Sequence, residues 1–263
     1  MVADPFARES RAVPNLRDLG ERQVAGGRLV AGRFYRSAEP TDPGAADELA
    51  ALGITTVVDL RTAGEVTERR DRLPDGVAYH HCDVLADVPP QIAQGQAQLM
   101  SDPVAFTSAF GLFDPVVQMN RTYRDLVVAG AARAAYARAL RAVVEADGAP
   151  VLLHCTAGKD RTGWVATVLL ATAGVDDEAI ETEYLAVNPA VRAMFVPLVE
   201  QYAAAGAPPQ LLEPMLEVRI EYLRTALKHV ADGFGGFDGY LHDGLGLTDD
   251  ETAALRALLV QPI

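Results

Sequence analysis

Between a wholly apolar run, Ala149 to Leu153, and an apolar stretch of helical length, Thr162 to Ala173, the chain places His-Cys-Thr-Ala-Gly-Lys-Asp-Arg, residues 154 to 161. A short apolar strand that turns at once into an apolar helix fits a buried parallel sheet and little else. The turn then lies at the carboxyl end of a strand, where open α/β sheets collect their ligands. Its backbone N–H groups and the positive helix end aim at one small volume, of the size of a phosphate.

Within that turn, five residues separate Cys155 from Arg161. A cysteine at a helix N-terminus beside cations favours the thiolate and is expected to act as a nucleophile. Arg161 can offer two N–H groups of its planar fork to two phosphate oxygens, holding the group for attack and neutralising transition-state charge. Thr156, Ala157, Gly158, Lys159, Asp160 and Arg161 are thus the expected phosphate-binding loop. His154 reads as a hydrogen-bond partner that tunes the thiol, or as a group that satisfies backbone at the strand end. Thr162 reads as a donor to the departing sulfur, as a helix N-cap, or as both. A nucleotide-type phosphate loop is excluded, because Asp160 follows Gly158-Lys159 and Leu153 stands where that motif needs its first glycine. A sulfurtransferase has no need of an arginine six positions after its cysteine.

The rest of the chain supplies the sheet. Arg28 to Tyr35 and Gly76 to Cys82 read as short strands, Ile54 to Leu60 as a buried β-branched strand, and Ala45 to Leu52 and Thr62 to Arg70 as helical stretches. This order predicts an α/β fold: a central, mostly parallel sheet flanked by helices, in one domain over residues 1–263. From Asp83 the pattern breaks, with prolines at 89, 90, 103 and 115. A structureless loop of that length is improbable in a compact domain, so residues 83–128 are expected to form a helical lid insertion. Phe106, Phe110, Phe113, Val116, Val117 and Met119 would line it. Thr122 to Val144 reads as one helix, and Asp176 to Leu259 as a mostly helical C-terminal part, broken at Gly233 to Gly239.

A formal net charge of −13 is the wrong sign for wrapping nucleic acid or resting on an anionic membrane. With two cysteines and five scattered histidines, neither a disulfide scaffold nor a metal site is expected, and no cofactor is implied. Cys82 reads as a buried free cysteine in preference to a reversible disulfide partner of Cys155. The longest apolar stretch, Trp164 to Ala173, is far below the roughly 20 residues that span a bilayer. No stable membrane insertion is therefore expected, and the default location is cytoplasmic, with export lacking a signal peptide still compatible.

Phosphate transfer needs an acid for the leaving oxygen. Asp160, inside the loop, and Asp59, at the end of its parallel strand, are the first candidates. Asp160 sits beside Arg161, which favours its charged form, so it can instead orient loop groups. Asp83 and Asp87 follow, with Asp125, in a predicted helix, last. Arg61 and Glu65 have the spacing of a helical ion pair and are read as structural. Lys159 reads as a second cation at the mouth for further phosphate groups, against a solvent-facing lysine.

His154 to Gly163 is similar to the signature loop of the cysteine-dependent protein tyrosine phosphatase superfamily. Lys159-Asp160 narrows the resemblance to its bacterial tyrosine and dual-specificity subgroup. Asn15-Leu16-Arg17-Asp18, Tyr35-Arg36-Ser37, Val58-Asp59-Leu60-Arg61-Thr62 with Glu65, Glu221-Tyr222-Leu223 and Gly239-Tyr240-Leu241 resemble that subgroup in the same order. It departs at Thr156, where the mycobacterial representative has an aromatic residue. The resemblance implies a tyrosine-phosphatase-like fold, a lid over the site and a phosphocysteine intermediate. It also implies that Asp83 and Asp87 lie where related dual-specificity enzymes draw their acid. The expected activity is metal-independent hydrolysis of phosphotyrosine in proteins, with dual specificity included. A phosphoinositide phosphatase comes second, favoured by Lys159, and a non-catalytic phospho-residue reader third, disfavoured by the intact Cys155 and Arg161.

Overall fold

Strands β1 (Arg17–Asp18), β4 (Phe34–Ser37), β5 (Thr56–Asp59) and β7 (Val151–His154) are buried at every position, as strands covered on both faces must be. The computed structural model describes residues 6–88, 102–105, 114–206 and 212–262. With β6 (Ala78–His81) these strands form one sheet in the order β1-β4-β7-β5-β6. β4, β7, β5 and β6 run parallel, and β1 is antiparallel to β4. A second, antiparallel sheet joins β2 (Gln23–Val24), β3 (Gly27–Leu29) and β8 (Val260–Pro262).

Alternation along the strands divides the core. Tyr35, Val57 and Leu152 meet Ala12, Val13, Leu16 and helix α1 (Ala45–Ala51) on one face. Phe34, Val58, Val151 and Leu153 point the other way, into the larger helical layer. That layer includes α3 (Pro115–Val128), α4 (Gly130–Glu145), α5 (Asp160–Ala173), α6 (Asp177–Leu185) and α9 (Ile220–Phe234). Further helices are α2 (Ala63–Glu68), α7 (Asn188–Ala204) and α8 (Glu213–Leu216), the last two packed on each other. A short helix α10 (Phe237–Gly239), a π-helical turn (Tyr240–Gly244) and α11 (Asp249–Leu259) complete the C-terminal part. Two segments that carried the resemblance prove to be core: Tyr222 and Tyr240 are fully buried, and Trp164 Nε1 donates to Tyr240 Oη at 3.2 Å.

Three expectations need correction. Arg28 to Tyr35 is not one strand: Gly27–Leu29 pairs in the antiparallel sheet and Phe34–Ser37 in the main one, with Gly32 turning between them at φ 72°. The single helix from Thr122 to Val144 is two, because Ala129 is extended (ψ 140°), while Asp87 accepts from the Ala131 amide at 2.8 Å. Residues 115–128 are core helix rather than lid. Met119, Tyr123, Leu126 and Val127 share one face of α3 at helical spacing and are buried. Phe106, Phe110 and Phe113 lie outside the described residues.

Candidate active site

All four parallel strands end on the same side of the sheet, and the turn from His154 to Arg161 lies at the end of β7, between β4 and β5. Gly158 takes φ 64°, and a Cβ there would lie 2.3 Å from the Ser37 carbonyl oxygen, so only glycine lets the turn approach β4 this closely. The turn's carbonyls are held from outside. Asn15 Nδ2 donates to Ala157 O (3.1 Å) and Gly158 O (3.3 Å), and Arg36 Nη2 donates to Gly158 O (2.7 Å) and Lys159 O (3.3 Å). The Glu39 amide donates to Thr156 O at 3.2 Å. With the carbonyls turned outward, the amides of 156–161 donate to no protein group among the described residues. The last two are first-turn amides of α5, which have no intrahelical partner. This is an anion cradle with Cys155, 3% exposed, at its base.

Sequence reasoning missed this scaffold. Arg36 is fully buried and is itself fixed by Glu183 of α6, whose Oε1 and Oε2 lie 3.0 and 2.9 Å from Nη1. Asn15 takes φ 55°, which its short polar side chain tolerates. Asn15 and Arg36 stood in segments that carried the resemblance. Glu183 had no local signal.

Arg161 is clamped by Glu65 and not left free. Nη1 donates to Oε2 at 2.7 Å and Nη2 to Oε1 at 2.8 Å, a bidentate pair in which the arginine side chain is 13% exposed. Thr156 Oγ1 also donates to Glu65 Oε1, and accepts from Arg161 Nη2 at 3.3 Å. Burial opposes charge on Glu65, but the hydrogen bonds and charge of Arg161 win and hold it well below the usual carboxylate range. Among the described residues the Arg161 Nε–H edge has no acceptor, which leaves it for a ligand. The expected Arg61–Glu65 helical pair is therefore wrong. Glu65 is residue N3 of a capping box with Thr62, which turns its carboxylate toward the N-terminal end of α2 and the loop.

Lys159 and Asp160 are also tied. Lys159 is 5% exposed, and its Nζ donates to the Met215 carbonyl of α8 at 2.8 Å and lies 3.0 Å from Asp160 Oδ2. It is neither a solvent-facing lysine nor a free cation at the mouth. Asp160 Oδ1 accepts from Tyr123 Oη at 2.7 Å, and Tyr184 Oη donates to Tyr123 Oη at 2.7 Å. Burial first, and then Asp160, push the Tyr123 phenol far above its ordinary value, so it remains a donor.

Asp59 is fully buried beneath the loop. Arg61 donates to it from its amide and guanidinium at 2.7 to 3.1 Å, and Tyr79 Oη at 2.7 Å. Burial pushes its carboxyl up, but Arg61 and His154 bring it down to about 2, which contradicts the expectation of a proton donor at the strand end. Among the described residues Asp83, half-buried after β6, accepts only from backbone amides, Ala63 at 3.1 Å and Leu85 at 2.9 Å. Asp87 binds the start of α4, and Asp125 pairs with Arg124 on an exposed face.

His154 is fully buried, with Nδ1 3.4 Å from Cys155 O and Nε2 3.2 Å from Asp71 Oδ2. Asp59, Asp71 and His154 bring one donor atom each within 4.8 Å of the others, a grouping that sequence spacing did not reveal. The Arg61 guanidinium already lies 2.7 Å from an oxygen of both carboxylates, so a cation is present there without a metal. Thr162 is not the N-cap of α5, a place taken by Lys159. Its buried hydroxyl has no hydrogen-bond partner among the described residues. Cys82 and Cys155 are both free and buried.

The chain is similar to several known proteins. Residues 9–261 match the sequence profile of the tyrosine phosphatase family. A Cupriavidus necator protein provisionally named a tyrosine-protein phosphatase is 35% identical over 253 residues, covering 89% of this chain and 82% of its own. The triple specificity protein phosphatase PtpB of Mycobacterium tuberculosis is 31% identical, over 96% of this chain and 99% of its own. A crystal structure of TpbA from P. aeruginosa overlaps 82% of this chain and 99% of its own, at 17% identity and a TM-score of 0.39. With nearly its whole length matched by the profile and by a relative above 30% identity, the chain belongs to the tyrosine phosphatase family.

Proposed function

We propose that the chain hydrolyses phosphotyrosine in proteins through a phosphocysteine intermediate on Cys155. The observation that carries this reading is the cradle: outward carbonyls, inward amides and a clamped Arg161 around a buried cysteine. The Cys155 thiolate attacks phosphorus while the bond to the leaving oxygen breaks. Loop amides and the free edge of Arg161 take the charge that develops on the three equatorial oxygens. Water then attacks the phosphocysteine, the phosphorus–sulfur bond breaks, and inorganic phosphate leaves with the thiolate restored. The hydroxyl of Thr162, seven positions beyond Cys155 and without a hydrogen-bond partner among the described residues, suits donation to the departing sulfur.

For the proton, Asp59 is withdrawn by Arg61, and both oxygens of Asp160 are engaged by Tyr123 and Lys159. Asp160 then orients the loop. Asp83 is the acid in this reading. Among the described residues it has no cationic partner, and it touches the first residue of α2, two positions before Glu65. It also takes the attacking water's proton in the second step. A phosphoinositide substrate would require Lys159 to leave Met215 and Asp160, so the phosphoprotein reading is preferred. The mycobacterial relative is named for triple specificity, which adds substrates beyond phosphotyrosine to what is tested.

The test compares one preparation on a phosphotyrosine peptide, a phosphoserine peptide and a phosphoinositide panel, then Asn variants of Asp83 and Asp160 on aryl and alkyl phosphates. Phosphotyrosine should have the highest kcat/KM. Asp83→Asn should lose about 10² to 10⁴ in rate on the alkyl phosphate and much less on the activated aryl one. A leaving-group effect confined to Asp160→Asn would remove Asp83 from the mechanism. Preference for phosphoinositides would remove the substrate assignment.

A further inference from the structure

We propose that Asp71 is a positioning residue for the nucleophile, holding the His154 ring and, through it, the peptide that carries Cys155. The inference rests on the reading of Cys155 given above. Asp71 lies outside the loop, between α2 and β6, yet its side chain is 4% exposed. Its Oδ1 accepts from Arg61 Nη2 at 2.7 Å, and its Oδ2 lies 3.2 Å from His154 Nε2. Those two facing atoms, Oδ2 and Nε2, are buried and have no other hydrogen-bond partner among the described residues. Buried polar atoms left in this way are costly unless they serve one another. Of the two carboxylates that face Nε2, Asp71 Oδ2 is the nearer, with Asp59 Oδ1 farther at 3.9 Å.

A carboxylate fixed opposite one ring nitrogen sets which nitrogen carries the proton and how the ring is turned. Here the Nε2–H is the one that Asp71 can accept. Asp71 is itself immobilised, because Arg61 spans Asp59, Asp71, Glu39 and the Arg69 carbonyl. With its proton on Nε2, the ring offers no donor to the Cys155 carbonyl, so the arrangement reaches the loop through the backbone of His154, the residue before the nucleophile, and through Glu39, whose amide donates to Thr156 O. The residue before the nucleophile and the carbonyl of the residue after it are thus both held by this buried group. Arg69 and Tyr79 close it from the outer side, against Glu39 and Asp59.

The first measurement uses the wild-type enzyme with ¹⁵N-histidine: His154 should show a slowly exchanging Nε2–H. A ring protonated on Nδ1 alone would overturn the proposal, and no variant need fold for that result. The second uses Asp71→Asn, which keeps an acceptor for Arg61 but removes the charge facing Nε2. Its kcat on an aryl phosphate should fall about tenfold, the rate equivalent of one charge-assisted hydrogen bond, with inorganic phosphate affinity within about twofold. The phosphate probe separates positioning from general loosening, because the amides and Arg161 stay in place. A folded variant with wild-type kcat, or one that loses kcat and phosphate affinity together, would overturn the proposal. Failure of the underlying reading shows elsewhere, as turnover by Cys155→Ser.

Discussion

Replacing Glu65 with glutamine separates two duties of one side chain. Gln preserves the capping box, since its carboxamide oxygen still accepts from the Thr62 amide, now 2.8 Å from Oε2. It cannot preserve the clamp, because one of the two acceptors that Arg161 meets at 2.7 and 2.8 Å becomes an NH₂ group, and the charge is lost. A hydrogen bond between charged groups contributes roughly 1.5 to 3 kcal/mol. If that energy holds the guanidinium in its transition-state position, kcat should fall roughly 10- to 150-fold, at about 1.4 kcal/mol per tenfold. Glu65→Ala, which removes both acceptors and the cap, should approach the 10² to 10³ associated with losing a preorganised oxyanion donor. The assay is kcat and KM on an aryl phosphate, with melting temperature as the control for the cap. A folded Glu65→Gln enzyme within twofold of wild-type kcat would refute the claim that this pair positions Arg161.

Other outcomes follow from the same geometry. Cys155→Ser should abolish turnover yet bind inorganic phosphate or vanadate, because the amides and Arg161 remain; calorimetric titration checks this, and loss of binding would refute the cradle. Activity should persist in excess chelator and be inhibited by vanadate, and restoration of a chelated enzyme by Mg²⁺ or Zn²⁺ would contradict this. Asp59 has its carboxyl lowered from 3.8 to about 2, so its stabilisation is present above about pH 4 and is lost as pH falls through about 2. That difference corresponds to about 2 kcal/mol. Urea denaturation should show this increment disappearing in wild type over that window and missing from Asp59→Asn, which itself should cost about 3 kcal/mol at neutral pH by leaving Arg61 short of a partner.

Local pattern was enough for β5 and β7, for α5 and for the turn between β7 and α5, because apolar runs of strand and helix length leave few alternatives and residues 154–161 carry their own chemistry. Strand β4 was misjoined to β3, since nothing in the run Arg28 to Tyr35 marks the turn at Gly32. Helix α3 was legible only in part. Its face of Met119, Tyr123, Leu126 and Val127 has clear helical spacing, yet the prolines and glycines before it drew the whole segment into an expected lid. Residues 89–101 and 106–113 of that segment lie outside the described structure. The ion pairs were misread for another reason. Spacing along one helix ranks Arg61 with Glu65, but α2 starts at Ala63, after Arg61, and its capping box turns Glu65 toward the loop.

The sequence by itself determined which atoms the proposed chemistry uses, since a cysteine and an arginine six positions apart on a strand-to-helix turn are joined by local backbone. Tertiary structure decided everything that makes those atoms effective. Asn15 and Arg36 turn the loop carbonyls outward, Glu65 clamps Arg161, Glu183 holds Arg36, and Asp71 faces His154. These partners stand 83 to 147 positions from the groups they hold. Their pairing follows from strand order and from the need of each buried charge for an opposite one, not from any period in the chain.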